Sequence, residues 1–159
     1  MPKQFIKMFD DKSLFQLTVD RNSKICDRHL IVSNSEQYFL AVDQLEELGK
    51  KNNNYLLEPI GRNTAPAIAL SCMSLDPNEI VLVTPSDHLI KNELEYKKVS
   101  QRARKLAEKN YLVTFGITPT FAETGFGYIE SDKEDVKAFH EKPDVITASK
   151  YIEAGNYYW

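Results

Sequence analysis

Glu79-Ile80-Val81-Leu82-Val83-Thr84-Pro85-Ser86-Asp87-His88 (residues 79–88) is the stretch that decides how the chain is read. Its first five residues, Glu79 followed by four apolar residues, form a continuous run with the pattern of a parallel strand covered on both faces. The run stops at a Thr-Pro turn and delivers an aspartate immediately beyond it. Apolar runs and helical patterns alternate on either side, which is the mark of βαβ units and a mostly parallel sheet. Upstream, Ser13 to Lys24 predicts a helix capped by Ser13, and Arg28 to Asn34 predicts a short buried strand. Ser35 to Leu48 follows as a helix, with Tyr38, Ala41, Val42, Leu45 and Leu48 on one face and Gly49 past its end. Tyr55 to Leu57 reads as a brief strand. Ala65 to Leu75 is apolar nearly all round and predicts a buried helix, with Thr64 as cap and Pro66 in the first turn.

Downstream, Leu94 to Lys109 has the pattern of a long amphipathic helix whose inward face carries Tyr96, Val99, Ala103, Leu106 and Ala107. Tyr111 to Ile117 predicts the next strand. After Pro119 the strands shorten: Gly127 to Ser131 and Val136 to His140 are joined by the acidic turn Asp132 to Asp135. A last helix spans about Thr147 to Ala154 and stops at Gly155. Without a repeat, a low-complexity segment or a linker, the expectation is a single α/β domain over residues 1–159.

The size suits one domain with a real core. Hydrophobic content of 42% and charged content of 27% are those of a soluble globular chain. A net charge of −3 argues against sequence-independent binding of nucleic acid, which needs a basic face. Phosphate ligands stay admissible, because a few cations and backbone amides can hold them. Cys26 and Cys72 lack both a disulfide framework and metal-ligand spacing, so they read as buried small apolar residues in a reducing compartment. No apolar run reaches the roughly 18 residues of a membrane span, and no secretory pattern opens the chain. The expectation is a cytoplasmic protein with no membrane partner.

Candidate site residues fall where predicted strands stop, and ligands of open α/β sheets bind beyond those carboxyl ends. Asp87 could hold magnesium, which takes one or two protein carboxylates plus water and phosphate oxygens; equally, it could cap the next turn. Glu141-Lys142-Pro143 sets a carboxylate beside an ammonium. Pro143 predicts an extended Lys142, so that the two heads point to opposite sides and grip different parts of one ligand; the other reading is a solvated pair at a turn. Gly125 and Gly127 permit a tight turn or a close ligand approach. The loop from Glu58 to Asn63 precedes a helix N-terminus, whose free amides and dipole suit anionic or hydrogen-bonding ligands. His29, His88 and His140 show no metal spacing and read as solvated or locally bonded.

Taken together, EPIGRNTAPAIAL (58–70), VLVTPSDHLI (81–90), VTFGITPT (113–120), ETGFGYIE (123–130), FHEKPD (139–144) and GNYYW (155–159) resemble the sugar-1-phosphate nucleotidylyltransferases in order and spacing. The bacterial mannose-1-phosphate guanylyltransferase group is the most similar. The resemblance covers almost the whole chain and implies a Rossmann-like, mostly parallel sheet with helices on both faces. It implies transfer of a nucleotidyl group from GTP to mannose 1-phosphate with Mg2+, giving GDP-mannose and pyrophosphate. The sugar phosphate is already a charged nucleophile, so positioning and charge neutralisation suffice for in-line attack on the α-phosphate. By resemblance, Asp87 binds the metal, Lys142 the sugar phosphate, and Glu141 and the backbone near Gly127 the sugar hydroxyls. Glu58, Arg62, Asn63, Thr64 and Ala65 recognise guanine, with Glu58 able to accept from two donors on the base edge. Lys3 resembles the lysine closing the nucleotide signature and would face the triphosphate.

The chain departs from the family pattern at both ends. The glycine-rich phosphate loop expected ahead of Pro2-Lys3-Gln4-Phe5 and the strands expected beyond Trp159 do not occur in it. The expectation is therefore a partial nucleotidyltransferase domain, inactive on its own, with a sheet edge open to pairing with another chain and hence to homo-oligomers. Members using another sugar or base are the nearest alternative, and a non-catalytic remnant that binds a nucleotide sugar is a third. Some members of the family carry a fused mannose-6-phosphate isomerase domain, an activity for which this chain offers no residues.

Overall fold

A computed structural model describes residues 1–61 and 63–159. The described chain is α/β and divides into two compact units, Met1–Tyr111 and Leu112–Trp159. In the first unit a turn of 3-10 helix, Lys3–Phe5, leads into a short hairpin of β1 (Lys7–Phe9) and β2 (Lys12–Ser13). Then come α1 (Leu14–Asn22), β3 (Leu30–Asn34), α2 (Ser35–Glu47), β4 (Asn54–Glu58), α3 (Thr64–Met73) and α4 (Glu93–Ala107). β3 and β4 pair in parallel, Leu30 opposite Asn54 through Asn34 opposite Glu58, as the βαβ pattern requires.

The expected cap of α1 holds. Ser13 caps α1 in a reciprocal capping box: its hydroxyl accepts from the Gln16 amide at 3.1 Å, and its own amide donates to the Gln16 side chain at 3.0 Å. Asn34 closes β3 and caps α2 through Gln37 N–H at 2.9 Å. Phe5, Phe15, Val19, Ala41 and Leu45 form the core, with the two phenylalanine rings 5.2 Å apart. Ser13, although wholly buried, also donates to Gln44 Oε1, while Gln44 Nε2 donates to the carbonyl of Phe5 at 2.8 Å. A buried polar pair thus ties α1, α2 and the 3-10 turn together.

Five expectations are corrected, the first being that Cys72 is exposed and Cys26 only half-buried, where both are expected inside. Residues 79–83 run without helical structure but join no sheet, and Val83 is 51% exposed. A strand requires a hydrogen-bonded neighbour, and among the described residues this run has none. Residues 111–117 behave likewise, except that Ile117 exchanges two 2.9 Å backbone bonds with Trp159. α3 is not buried: only Ser71 is, and Leu70 is 50% exposed, because an all-round apolar helix cannot cover every face against its neighbour β3. The cap of α3 is Asn63 rather than Thr64, and its side chain makes no capping bond.

The second unit is a three-stranded antiparallel sheet, β5 (Tyr128–Asp132) between β6 (Asp135–His140) and β7 (Tyr157–Tyr158), crossed by α5 (Val145–Ala154). Asp144 caps α5 by accepting from Thr147 N–H at 2.7 Å, and Gly155 ends it at φ 73°, a conformation suited to glycine. Tyr128 and Ala148 are wholly buried between sheet and helix.

Ser13→Ala should test the buried tie. Loss of the cap costs about 1 kcal/mol, and an orphaned Gln44 oxygen adds about 1–3 kcal/mol. A lowered urea midpoint at unchanged slope is the expected outcome. An unshifted midpoint would show that the pair contributes nothing.

Candidate functional site

The first unit brings together two of the expected site residues. Asp87, two residues past Pro85, carries its carboxylate 2.9 Å from Nζ of Lys3 and 3.9 Å from His88 Nε2. The Lys3 hydrogen bond, ahead of a smaller opposing effect of burial, holds the Asp87 carboxyl below its ordinary range, so it is an anion at neutral pH. The Thr84-Pro85 segment that precedes it is braced from α1. Asn22 Nδ2 donates to Thr84 Oγ1 at 2.9 Å, and the Tyr96 hydroxyl of α4 donates to Asn22 Oδ1 at 2.8 Å. Arg21, almost fully buried, lies over the Tyr96 ring at 5.0 Å. Sequence reading missed this brace; its signal was the polar run Thr18, Arg21, Asn22 on a helix face that is buried.

Among the described residues no three His, Cys, Asp or Glu side chains gather into a ready-made metal site. Asp87 is a single ionised carboxylate, which fits a magnesium ion that draws most of its ligands from water and phosphate.

Glu58 ends β4, half-buried, at the start of the loop that leads to α3. Asn63, Thr64 and Ala65 are exposed at the helix start, and the uncommitted Asn63 side chain leaves the first-turn amides without a side-chain cap. Arg62, which belongs to the same expected nucleotide loop, lies outside the described residues.

In the second unit Gly127, Glu141 and Lys142 are neighbours. A Cβ at Gly127 would stand 3.0 Å from Glu141 Oε2, so the carboxylate lies directly over the glycine backbone. The loop in front of Gly127 is closed by Tyr128, whose hydroxyl donates to the Glu123 carbonyl at 2.9 Å and accepts from the Glu123 amide at 3.1 Å. The Glu123 carboxylate in turn accepts from Gly125 N–H at 2.8 Å. Lys142 is not extended, contrary to expectation. Its φ is 42°, and its Nζ is 3.5 Å from Glu141 Oε1 rather than on the opposite side. Only three residues separate the end of β6 from the Asp144 cap, and the sharp turn they must make overrides the preference that Pro143 imposes. Both heads are largely exposed.

Two of the histidines are locally bonded, and His88 is largely exposed. His29 Nε2 lies 2.8 Å from Ser23 Oγ, and His140 Nε2 lies 2.9 Å from Glu130 Oε2.

The first unit thus presents a carboxylate with an ammonium partner and a helix start without a side-chain cap, groups suited to phosphate; the second, taken by itself, presents a glycine turn beside a Glu-Lys pair, suited to sugar hydroxyls and phosphate. The chain belongs to the Nucleotidyl transferase family, whose pattern it matches over residues 1–159. It is 42% identical to a mannose-1-phosphate guanylyltransferase of Salmonella montevideo, over 99% of this chain and 36% of that protein. The xanthan biosynthesis protein XanB of Xanthomonas campestris is also 42% identical, with the same 99% and 36% coverage. The crystal structure of a mannose-6-phosphate isomerase from Helicobacter pylori superposes with a TM-score of 0.92 at 46% identity, over 99% of this chain and 62% of that one. The chain thus spans about a third of the length of the curated relatives it matches.

Lys3→Ala should return the Asp87 carboxyl toward the ordinary aspartate value of about 3.9. A folded value below the unfolded one means that the pair stabilises the fold above the unfolded value, and that this is lost as pH falls through the folded one. The expected outcome is an upward-shifted Asp87 titration by carboxyl carbon NMR. An unmoved midpoint would show that Lys3 is not the cause.

Proposed function

We propose that the chain is a partial nucleotidyltransferase domain, a single functional domain over residues 1–159, of a protein that makes GDP-mannose and pyrophosphate from GTP and mannose 1-phosphate. The observation that carries the reading is the Gly127–Glu141–Lys142 grouping, in a chain 42% identical to a mannose-1-phosphate guanylyltransferase. Lys142 supplies an exposed ammonium for the sugar phosphate. Glu141, lying over Gly127, accepts hydrogen bonds from sugar hydroxyls, and the absence of a side chain at Gly127 lets the ring approach the backbone. Glu58 accepts from the guanine edge, with Arg62, Asn63, Thr64 and Ala65 completing the nucleotide loop.

Asp87 would hold Mg2+, which when bound neutralises phosphate charge on the nucleotide. Lys3, already at Asp87, provides a second cation for the triphosphate. The sugar phosphate arrives ionised, so none of these residues has to remove a proton. Their work is orientation and charge stabilisation. No helix among the described residues is long and apolar enough to cross a membrane. With the biosynthetic relatives, this supports a cytoplasmic location.

Titration of the chain with mannose 1-phosphate, GTP, ATP and GDP-mannose, with and without magnesium, tests the roles separately. Lys142→Ala should weaken mannose 1-phosphate by the roughly 1.5–3 kcal/mol of a charge-assisted contact, about 10- to 150-fold, and leave GTP untouched. Asp87→Asn should remove the magnesium-dependent part of GTP affinity. Glu58→Gln should narrow the preference for GTP over ATP, because an amide cannot accept from both guanine donors. Equal binding of GTP and ATP by the unaltered chain would assign it to a member using another base. Binding of nucleotide sugar without any magnesium dependence would favour the non-catalytic reading.

A further inference from the structure

We propose that His140, fixed between the carboxylate of Glu130 and the rings of Tyr151 and Tyr157, is a positioning residue that sets the backbone of Lys142 for its ligand. The inference rests on reading Lys142 as the contact for the sugar phosphate. It starts from the conformation of Lys142, whose φ of 42° lies in the left-handed region. A lysine has no short polar group to stabilise that conformation locally, so the surrounding structure must impose it.

The imposition comes from both ends of a short connection. At its far end, Asp144 is fixed as the cap of α5 by its 2.7 Å bond from Thr147 N–H. At its near end, His140 is the last residue of β6 and is gripped from three other elements. Glu130 of β5 stands opposite Ala138, and Tyr128 stands opposite His140, so Glu130 and His140 are diagonal neighbours on one face of the sheet. Their side chains meet at 2.9 Å. Tyr157 of β7, paired with Glu130, and Tyr151 of α5 stack on each other at 4.1 Å and 11°. Their rings lie 5.6 and 5.2 Å from the imidazole.

Between these two anchors only Glu141, Lys142 and Pro143 remain to turn the chain from strand to helix. Pro143 has its φ fixed by its ring, and the structure places the left-handed turn on Lys142. Packing alone could be done by an aliphatic side chain at position 140. The imidazole adds a directional bond that fixes the end of β6, and with it the two residues that follow. The Glu130 carboxyl is held below its ordinary range, chiefly by this bond. Charged and titratable groups facing the pair are Tyr157 and Lys137, besides Glu130 itself.

The test uses the isotopically labelled chain, unaltered and as His140→Ala, Glu130→Ala and His140→Gln. Two measurements are made: the Lys142 Cα and Cβ chemical shifts, and equilibrium titration with mannose 1-phosphate and with GTP. The unaltered chain should show the left-handed shift pattern at Lys142. His140→Ala and Glu130→Ala should lose that pattern and bind mannose 1-phosphate about tenfold more weakly, the scale of one hydrogen bond to a charged group, with GTP unchanged. His140→Gln, whose amide can still donate to Glu130, should restore part of both. A merely structural role would lower stability without moving the Lys142 shifts in the folded molecules. Should His140→Ala unfold the second unit, His140→Phe, which keeps a ring for packing and removes the directional bond, serves for the same comparison. A left-handed Lys142 with undiminished sugar-phosphate affinity in the folded variants overturns the proposal. If instead Lys142→Ala binds mannose 1-phosphate as well as the unaltered chain does, the ligand reading falls, and the shift measurements alone decide the positioning.

Discussion

The hydroxyl of Ser13 has no access to water, and much of the first unit follows from the way its hydrogen bonds are met. It accepts from the α1 amide of Gln16 and donates to Gln44 of α2, which donates onward to the carbonyl of Phe5. Gln16 adds a second connection, donating from Nε2 to the carbonyl of Gln44 at 3.1 Å and to Glu47 at 2.8 Å. An unsatisfied group here would cost more than the net worth of any one of these bonds, so the helices are fixed in relative rotation as well as in contact. Phe5 and Phe15 can then pack with their rings tilted at 53° in one cluster with Leu45. The segment that carries Lys3 toward Asp87 leaves directly from this node. The ion pair is therefore set up by a core interaction and not by surface attraction alone.

In the second unit the corresponding part is played by Tyr128. Its ring is wholly enclosed against Tyr151 at 5.4 Å and Trp159 at 6.4 Å, while its hydroxyl makes two bonds to the backbone of Glu123. One side chain thereby closes the glycine-bearing turn on one side and seats α5 on the other. The Glu141 carboxylate, lying over Gly127, shares the same turn. Sugar and phosphate contacts proposed for these residues thus rest on a single buried anchor.

How much of this was legible in the sequence depends on the range of the interaction concerned. Capping residues and apolar periodicity act within one or two turns, so Ser13, Asn34 and Gly155 marked element ends that the structure reproduces to within about two residues, and the helix expected from about Thr147 begins at Val145. The parallel pair β3–β4 followed from two short apolar runs flanking α2. Residues 79–83 were misread because strand character belongs to a pair of segments, and a sequence shows only one of them. Lys142 was misread for a related reason. The local preference before proline is real, but a three-residue connection between two fixed ends decides the backbone there. Of the candidate site, the groupings of Lys3 with Asp87 and of Gly127 with Glu141 join residues far apart in sequence. They could be anticipated only through the order of the segments, whereas the Asn22–Thr84 brace and the His140–Glu130 pair gave no motif at all.

The Lys3–Asp87 pair also has a consequence for ion exchange. An ammonium 2.9 Å from the carboxylate is a resident counter-ion, so the site is locally neutral before any ligand arrives. A cation binding at Asp87 has to displace that ammonium, and its apparent affinity is lower than a bare carboxylate would give. Lys3 is largely exposed, so added salt weakens its hold as well as the attraction of the incoming ion. The two effects oppose each other, which makes cation uptake at Asp87 less sensitive to ionic strength than at an unpaired acid. Once displaced, the ammonium is free to meet whatever negative charge the cation brings with it. The net charge of the site then changes by less than the charge of the ion that entered.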